Sequence, residues 1–182
     1  MVLIRQLQVV LERIYNEVTE LHHNREIWQY FNEELPKHGG GIVQSALTRW
    51  YIDSQAAGVR RLAAVRSQDK RSLSMLLKTI QSNLSLFAPV KNGIKVTEQS
   101  ITHDLSLLDN KTASITRWAD EQIAHMGRTQ TANPTFNDLD EAIDVIGQLL
   151  QKYYQLIDGG YLIDVKPVIA DDWRQPFRTK WL

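Results

Sequence analysis

Apolar residues return every three or four positions along nearly the whole chain, and no stretch alternates apolar with polar for long enough to make a strand. Leu3, Leu7, Val10, Ile14, Val18 and Leu21 form the first such series. A period of about 3.6 residues lines these side chains up on one stripe of an α-helix, with the opposite face left polar. Such a stripe must be covered by another, so a chain built from such segments packs helix on helix.

The segments can be bounded from their punctuation. Trp28 and Phe31 prolong the first stripe past His22-His23-Asn24, where an end or a kink is expected, and Leu35-Pro36 and Gly39-Gly40-Gly41 then stop it. A second helix is expected from about Ile42 to Val65, with Ile42, Ala46, Trp50, Ala57 and Leu62 near one face. Ala46, Ser54, Ala56, Ala57 and Gly58 are small enough for another helix to come close, which marks this helix as central. Ser72 caps a short third helix reaching about Asn83, with Leu73, Leu76, Leu77 and Ile80 inward. Ala88-Pro89 and Asn92-Gly93 mark a loop.

Thr97 opens a fourth helix, to about Met126, on which Ile101, Leu105, Leu108, Ile115, Ala119, Ile123 and Met126 keep the period. Thr135-Phe136-Asn137-Asp138 is a near capping box, with Asp in place of Glu. It begins a fifth helix with Leu139, Ile143, Ile146, Leu150, Tyr154 and Ile157, which Gly159-Gly160 ends. The expected class is all-α: an antiparallel bundle of about five helices over residues 1–160, followed by an irregular aromatic tail over 161–182. Trp173, Phe177 and Trp181 in that tail are too costly to leave in water, so it is expected to wrap over the bundle or to pack on a partner.

Composition narrows the function. The formal net charge is zero, so no global field draws nucleic acid or an anionic membrane. The absence of cysteine excludes disulfides, thiolate metal sites and cysteine catalysis, and is in keeping with a cytoplasmic location. The first helix carries Arg5, Glu12, Arg13 and Glu17, so it reads as amphipathic, without a signal-peptide core or a membrane span. Glu20-Leu21-His22-His23 holds one Glu-x-x-His, but a di-iron bundle needs two such motifs and further glutamates, so no metal and no cofactor is expected. His103-Asp104 reads as part of a solvated face. Gly39-Gly40-Gly41 lacks the lysine and the preceding strand of a phosphate-binding loop.

The stretch richest in chemistry is Ala119-Asp120-Glu121-Gln122-Ile123-Ala124-His125, followed by Met126-Gly127-Arg128. A histidine on the last turn of a helix is favoured as imidazolium by the macrodipole, which suits an acid or a phosphate binder. It serves equally as a helix cap. Trp118, seven residues earlier, lies on nearly the same line and fits either a stacked base or a core or dimer-interface role. Arg60-Arg61, Arg66, Lys70 and Arg71 form the densest basic run, to be read as phosphate contacts or as a solvated helix end. Arg174, Arg178 and Lys180, interleaved with the tail aromatics, form a second patch.

In the order of these pieces the chain resembles the HEPN superfamily, all-α domains associated with RNA cleavage or binding in toxin–antitoxin, antiphage and CRISPR systems. The nearest subgroup is associated with abortive infection. The resemblance lies in Asp53-Ser54-Gln55-Ala56-Ala57-Gly58-Val59-Arg60-Arg61-Leu62, Ser72-Leu73-Ser74-Met75-Leu76-Leu77, the segment from Ala119 to His125, and Tyr153-Tyr154-Gln155-Leu156. It implies a homodimer that acts on or binds RNA, with a possible protein partner in a defence pair.

The family signature is Arg, four to six residues, then His, brought together across a dimer to drive attack of a ribose 2′-OH on the adjacent phosphate. Its His matches His125 and its polar residue Asp120, while its Arg falls on Ala119. Arg117, about 80° around the helix and about 12 Å along it from His125, converges with it only across a dimer. Arg128, three residues on, shares a face with His125 if the helix continues. The resemblance therefore implies a degenerate member with weak or absent metal-independent endoribonuclease activity. Its candidates are His125, Arg128, Arg117 and Asp120 for chemistry, and Trp118, Arg60 and Arg61 for RNA contact. The other expectation is a helical scaffold that dimerises or holds a partner through its aromatic tail.

Overall fold

The computed structural model describes residues 2–39, 41–63, 71–87, 96–124, 132–158 and 163–166, and among them every regular element is helical. The elements are α1 (Val2–Glu34), α2 (Gly41–Ala63), α3 (Leu73–Gln81), α4 (Glu98–Ala119) and α5 (Phe136–Asp158). Short 3₁₀ turns follow α1 at Leu35–His38 and α3 at Leu84–Leu86. The chain is an all-α bundle, as the periodicity requires. The aromatic tail beyond Lys166 lies outside the described residues, as does the Ala88–Gly93 loop.

The caps fall where the sequence puts them. The Ser72 hydroxyl accepts from the Met75 amide at 3.2 Å and starts α3, whose Leu73, Leu76, Leu77 and Ile80 are all buried. Thr97 and Ser100 close a reciprocal capping box at α4. Thr135 and Asp138 close the other: the Thr135 amide donates to the Asp138 carboxylate at 2.7 Å, and the Asp138 amide to the Thr135 hydroxyl at 3.2 Å. The shorter aspartate thus does the work of the usual glutamate. The Thr135 amide, and then the Thr135 hydroxyl donating at 2.7 Å, chiefly hold the Asp138 carboxyl below the usual carboxylate range. Gly39, with φ of 74°, takes the left-handed conformation that lets its N–H reach back to the carbonyls of Leu35 and Pro36.

The long helices pair antiparallel. Gln44 reaches Asn32 and Arg61 reaches Glu17 between α2 and α1. Gln8 reaches Asp158 and Arg25 reaches Asp144 between α1 and α5. Lys152 reaches Asp104 and Lys111 reaches Glu141 between α5 and α4. α2 packs on α1, α3, α4 and α5 and is the central helix its small residues suggest. Gly58 is the point of closest approach: a Cβ there would lie 2.7 Å from Leu21 Cδ2.

Four readings of the sequence are corrected. α1 does not break at His22-His23; it runs unbroken for 33 residues. His22 turns inward, its Nδ1 accepts from Arg25 Nη2 at 3.0 Å, and its ring lies over Gly147 of α5, so the histidine is packed within the helix pair. The buried face of α2 is Tyr51, Gln55, Ala56, Gly58, Val59, Leu62 and Ala63, while Ile42 and Trp50 are 89% and 67% exposed. Asp104 is buried, although its neighbour His103 is exposed. Its carboxylate accepts from the Tyr153 hydroxyl at 2.7 Å and from Lys152 Nζ at 2.5 Å, so a charge expected in solvent is held between α4 and α5. On α5 the buried tyrosine is Tyr153, and Tyr154 is half-exposed against Tyr15.

Candidate functional site

Four helix segments meet at one end of the bundle: the last turns of α1 and α4, the middle of α2 and the first turns of α5. Trp118, on the last turn of α4, is held there by the stripe that buries Ile115 and Ala119. It lines a cleft of about 310 Å³ with Ile52 and Ala56 of α2, Ile115 of α4, and Pro134, Phe136 and Leu139 at the start of α5. The walls are apolar except for Thr135. Such a cleft receives a flat apolar body, an aromatic ring or a base, and offers little to orient a charge.

Next to it stands a three-ring stack drawn from three helices. Trp28 of α1 lies between Tyr51 and Phe136, with centroids 4.5 and 4.7 Å apart and planes inclined by 9° and 14°. Phe136 is 41% exposed, so the stack opens to solvent at one end and to the core at the other. The Tyr51 hydroxyl is buried without a hydrogen-bond partner among the described residues. Burial, reinforced by the nearby Asp140 charge, pushes its pKa up.

Past Ala119 the backbone widens into a π-helical turn, Asp120–Ala124. One-turn π segments recur at functional sites because the extra residue re-aims the side chains around it. Here Asp120 points to α2 and accepts from Arg60 Nε at 2.5 Å, a tie between the C-terminal ends of α2 and α4. Glu121 accepts from the Ala132 amide at 3.2 Å, fixing the start of the approach to α5.

The structure therefore sorts the sequence candidates. Asp120 and Arg60 are partners of each other, and Arg61 donates to Glu17 of α1 at 2.6 Å. Both arginines are more than two-fifths exposed at the side chain, so these pairs can open, but at rest neither guanidinium is an unpaired phosphate contact. Arg117 is exposed on α4 and Trp118 stands beside it at the cleft. His125 and Arg128 lie outside the described residues. Ala119, which stands at the arginine position in the sequence resemblance, is fully buried.

Periodicity did not find the aromatic stack, because Trp28, Tyr51 and Phe136 are far apart in sequence and each sits on the edge of its own stripe. A local signal existed only for Phe136, an apolar residue inside a capping box, where solvent exposure is usual. Among the described residues no group of His, Asp and Glu is arranged to hold a metal ion, and no helix is long and apolar enough to cross a membrane. No family model, curated protein or solved structure matches the chain.

Proposed function

We propose that this chain is a HEPN-like, RNA-directed helical bundle, of the kind that serves defence or toxin–antitoxin systems, with weak or absent ribonuclease activity. The observation that carries the second half of this reading is Ala119. The position that would bear the arginine of the family motif is sealed in the core, and the adjacent Asp120 is engaged by Arg60. Cation and acid are thus committed to holding α2 against α4, and the motif is left without the cation that would steady a phosphorane. The RNA-directed half rests on the sequence resemblance. It is supported by Trp118, which lines an apolar cleft able to take an unstacked base, and by an exposed cation, Arg117, on the same turn of α4.

The test is cleavage and binding of single-stranded RNA by the purified protein, beside His125→Ala and Arg117→Ala. The expected result is no cleavage by any of them, with salt-dependent binding that Arg117→Ala weakens. Cleavage by the wild type that disappears in a folded His125→Ala variant overturns the inactive reading. Failure of the wild type to bind RNA at low salt overturns the RNA-directed one.

A second reading, a non-catalytic bundle that holds a protein partner, is favoured by one observation. Ile42, Val43 and Trp50 are 89%, 57% and 67% exposed on the first three turns of α2. Apolar side chains grouped in this way mark interaction surfaces. Under this reading Trp50→Glu leaves the fold intact and abolishes self-association or partner capture, which sedimentation of the two proteins measures.

A further inference from the structure

The column of rings drawn from α1, α2 and α5 has one end that nothing in the described structure covers. Trp28 lies between Tyr51 and Phe136. Trp28 and Tyr51 line a separate groove between α1 and α2, whereas Phe136 lines the cleft that Trp118 shares and not that groove. Phe136 is therefore the ring that stands between Trp28 and the cleft, and the column ends there. Among the described residues no second ring packs on Phe136, which is 41% exposed. Trp118, on the α4 wall of the same cleft, is in ring contact neither with Phe136 nor with any other described aromatic residue.

The size and chemistry of the cleft define what can extend the column. A cavity of about 150 Å³ holds one benzene ring, so the cleft, at about 310 Å³, has room for two fused rings. Its aromatic walls are held in place: Phe136 is backed by Trp28 and stands inside the Thr135–Asp138 capping box, and Trp118 precedes the buried Ala119. Walls fixed in this way lose little freedom on binding. The same capping box occupies the polar group of the lining. The Thr135 hydroxyl donates to the Asp138 carboxylate at 2.7 Å and accepts from the Asp138 amide at 3.2 Å. The Trp118 indole N–H is then the one donor left on a lining side chain. A single donor cannot tell base edges apart, whereas every base offers a π-face. The ionised Asp138 beside the α5 wall repels a phosphate, so the charged part of a strand stays outside the cleft. Arg117, exposed on the turn of α4 that carries Trp118, is the cation suited to meet it there.

We propose that the cleft takes one base of single-stranded RNA, a purine before a pyrimidine, stacked on Phe136 as the fourth ring of the column and faced by Trp118. Two fused rings cover more of Phe136 and of the apolar walls than one ring does, which gives the purine preference. The base is held by its face and not by its edges, so adenine and guanine are taken alike. This inference rests on the RNA-directed reading and names the part of the strand that enters the cleft.

The full-length protein is titrated at low salt with four strands of equal length. They are oligouridylate, the same strand with one central adenosine, the same strand with one central 2-aminopurine, and a wholly abasic strand. Stacking quenches the fluorescence of 2-aminopurine. The expected order of affinity is the adenosine strand, then oligouridylate, then the abasic strand, with the 2-aminopurine quenched on binding. Phe136→Leu keeps the apolar bulk and removes the ring at a partly exposed position, and circular dichroism checks that the variant is folded. It should weaken the adenosine strand at least about fivefold, relieve the quenching and leave the abasic strand unchanged. An adenosine strand bound no more tightly than oligouridylate or the abasic strand overturns the inference and leaves the RNA-directed reading standing. So does an affinity, or a quenching, that a folded Phe136→Leu variant leaves unchanged. If no strand binds, the RNA-directed reading falls and the inference falls with it.

Discussion

Placing an arginine at position 119, as the proposed HEPN-like reading would require of an active motif, should damage this protein rather than activate it. Ala119 has no exposed surface, one turn after the buried Ile115 on the face that α4 turns to α2. Ala119→Arg adds a long side chain where a methyl group is already covered. Overfilling a packed core costs about 1–3 kcal/mol, and a buried cation without a partner costs several kcal/mol more. Asp120 is the nearest candidate to receive the charge, but Arg60 already occupies it. A total of at least about 4 kcal/mol follows, a large share of the roughly 5–15 kcal/mol that holds a domain folded. At about 2–4 °C per kcal/mol for a chain of this size, the melting temperature falls by about 10 °C or more. Thermal and urea unfolding followed by circular dichroism measure the loss, and RNA cleavage is assayed on the same samples. A variant within about 1 kcal/mol of the wild type would show that the new side chain escapes to solvent at the π-helical turn. A variant that gained cleavage would show that the missing arginine alone silences the motif. Either outcome refutes the reasoning from burial.

Three further predictions rest on the interior. Burial, aided by the positive Arg25, holds the His22 pKa down to about 4 against 6.5 in the unfolded chain, so between those values the unfolded state binds a proton that the folded state refuses. Stability should fall by up to about 3 kcal/mol on acidification from pH 6.5 to 4, and His22→Gln should flatten that part of the urea-midpoint profile; a variant with the wild-type slope removes His22 as the cause. Asp104→Ala strips the acceptor from Tyr153 and Lys152 and should cost about 3 kcal/mol in denaturant unfolding, with Asp104→Asn losing less; a cost below about 0.5 kcal/mol would mean that water replaces the carboxylate. Gly147→Ala gains about 1 kcal/mol of helix propensity, yet its Cβ would lie 2.8 Å from His22 Nε2 and 3.2 Å from Val165 Cγ2. It should be net destabilising and should be relieved in the double variant with His22→Ala; a more stable single variant contradicts the close contact.

The element boundaries were legible because they are set by neighbours in the chain. Ser72, Thr97 and Thr135 cap helices with their own side chains, and a cap is fulfilled or not within four residues. The stripes of α3 and α5 were legible for a similar reason, since each helix buries one broad face. α2 was misread at Ile42 and Trp50 because only its second half, from Tyr51 on, is buried against other helices, and apolar residues on its first turns keep the period without being covered. His22-His23 was misread because two polar residues inside a stripe resemble an interruption, whereas Gly147, on another helix, makes the space that takes the ring in.

The candidate site divides along the same line. The order Arg117, Trp118, Ala119, Asp120 is a fact along the chain and needed no structure. That Asp120 belongs to Arg60, that Arg61 belongs to Glu17, and that Asp104 is an interior charge are facts about helices meeting end to end or side by side. The sequence by itself determined the five α-helices of the described residues and their caps, because helix hydrogen bonds and caps span at most four residues. Only the tertiary structure decided which charges are bound to each other, how Trp28 comes to lie between Tyr51 and Phe136, and that Tyr15 holds the Asp164 carbonyl, because those contacts join positions tens of residues apart whose pairing is fixed by how the stripes pack.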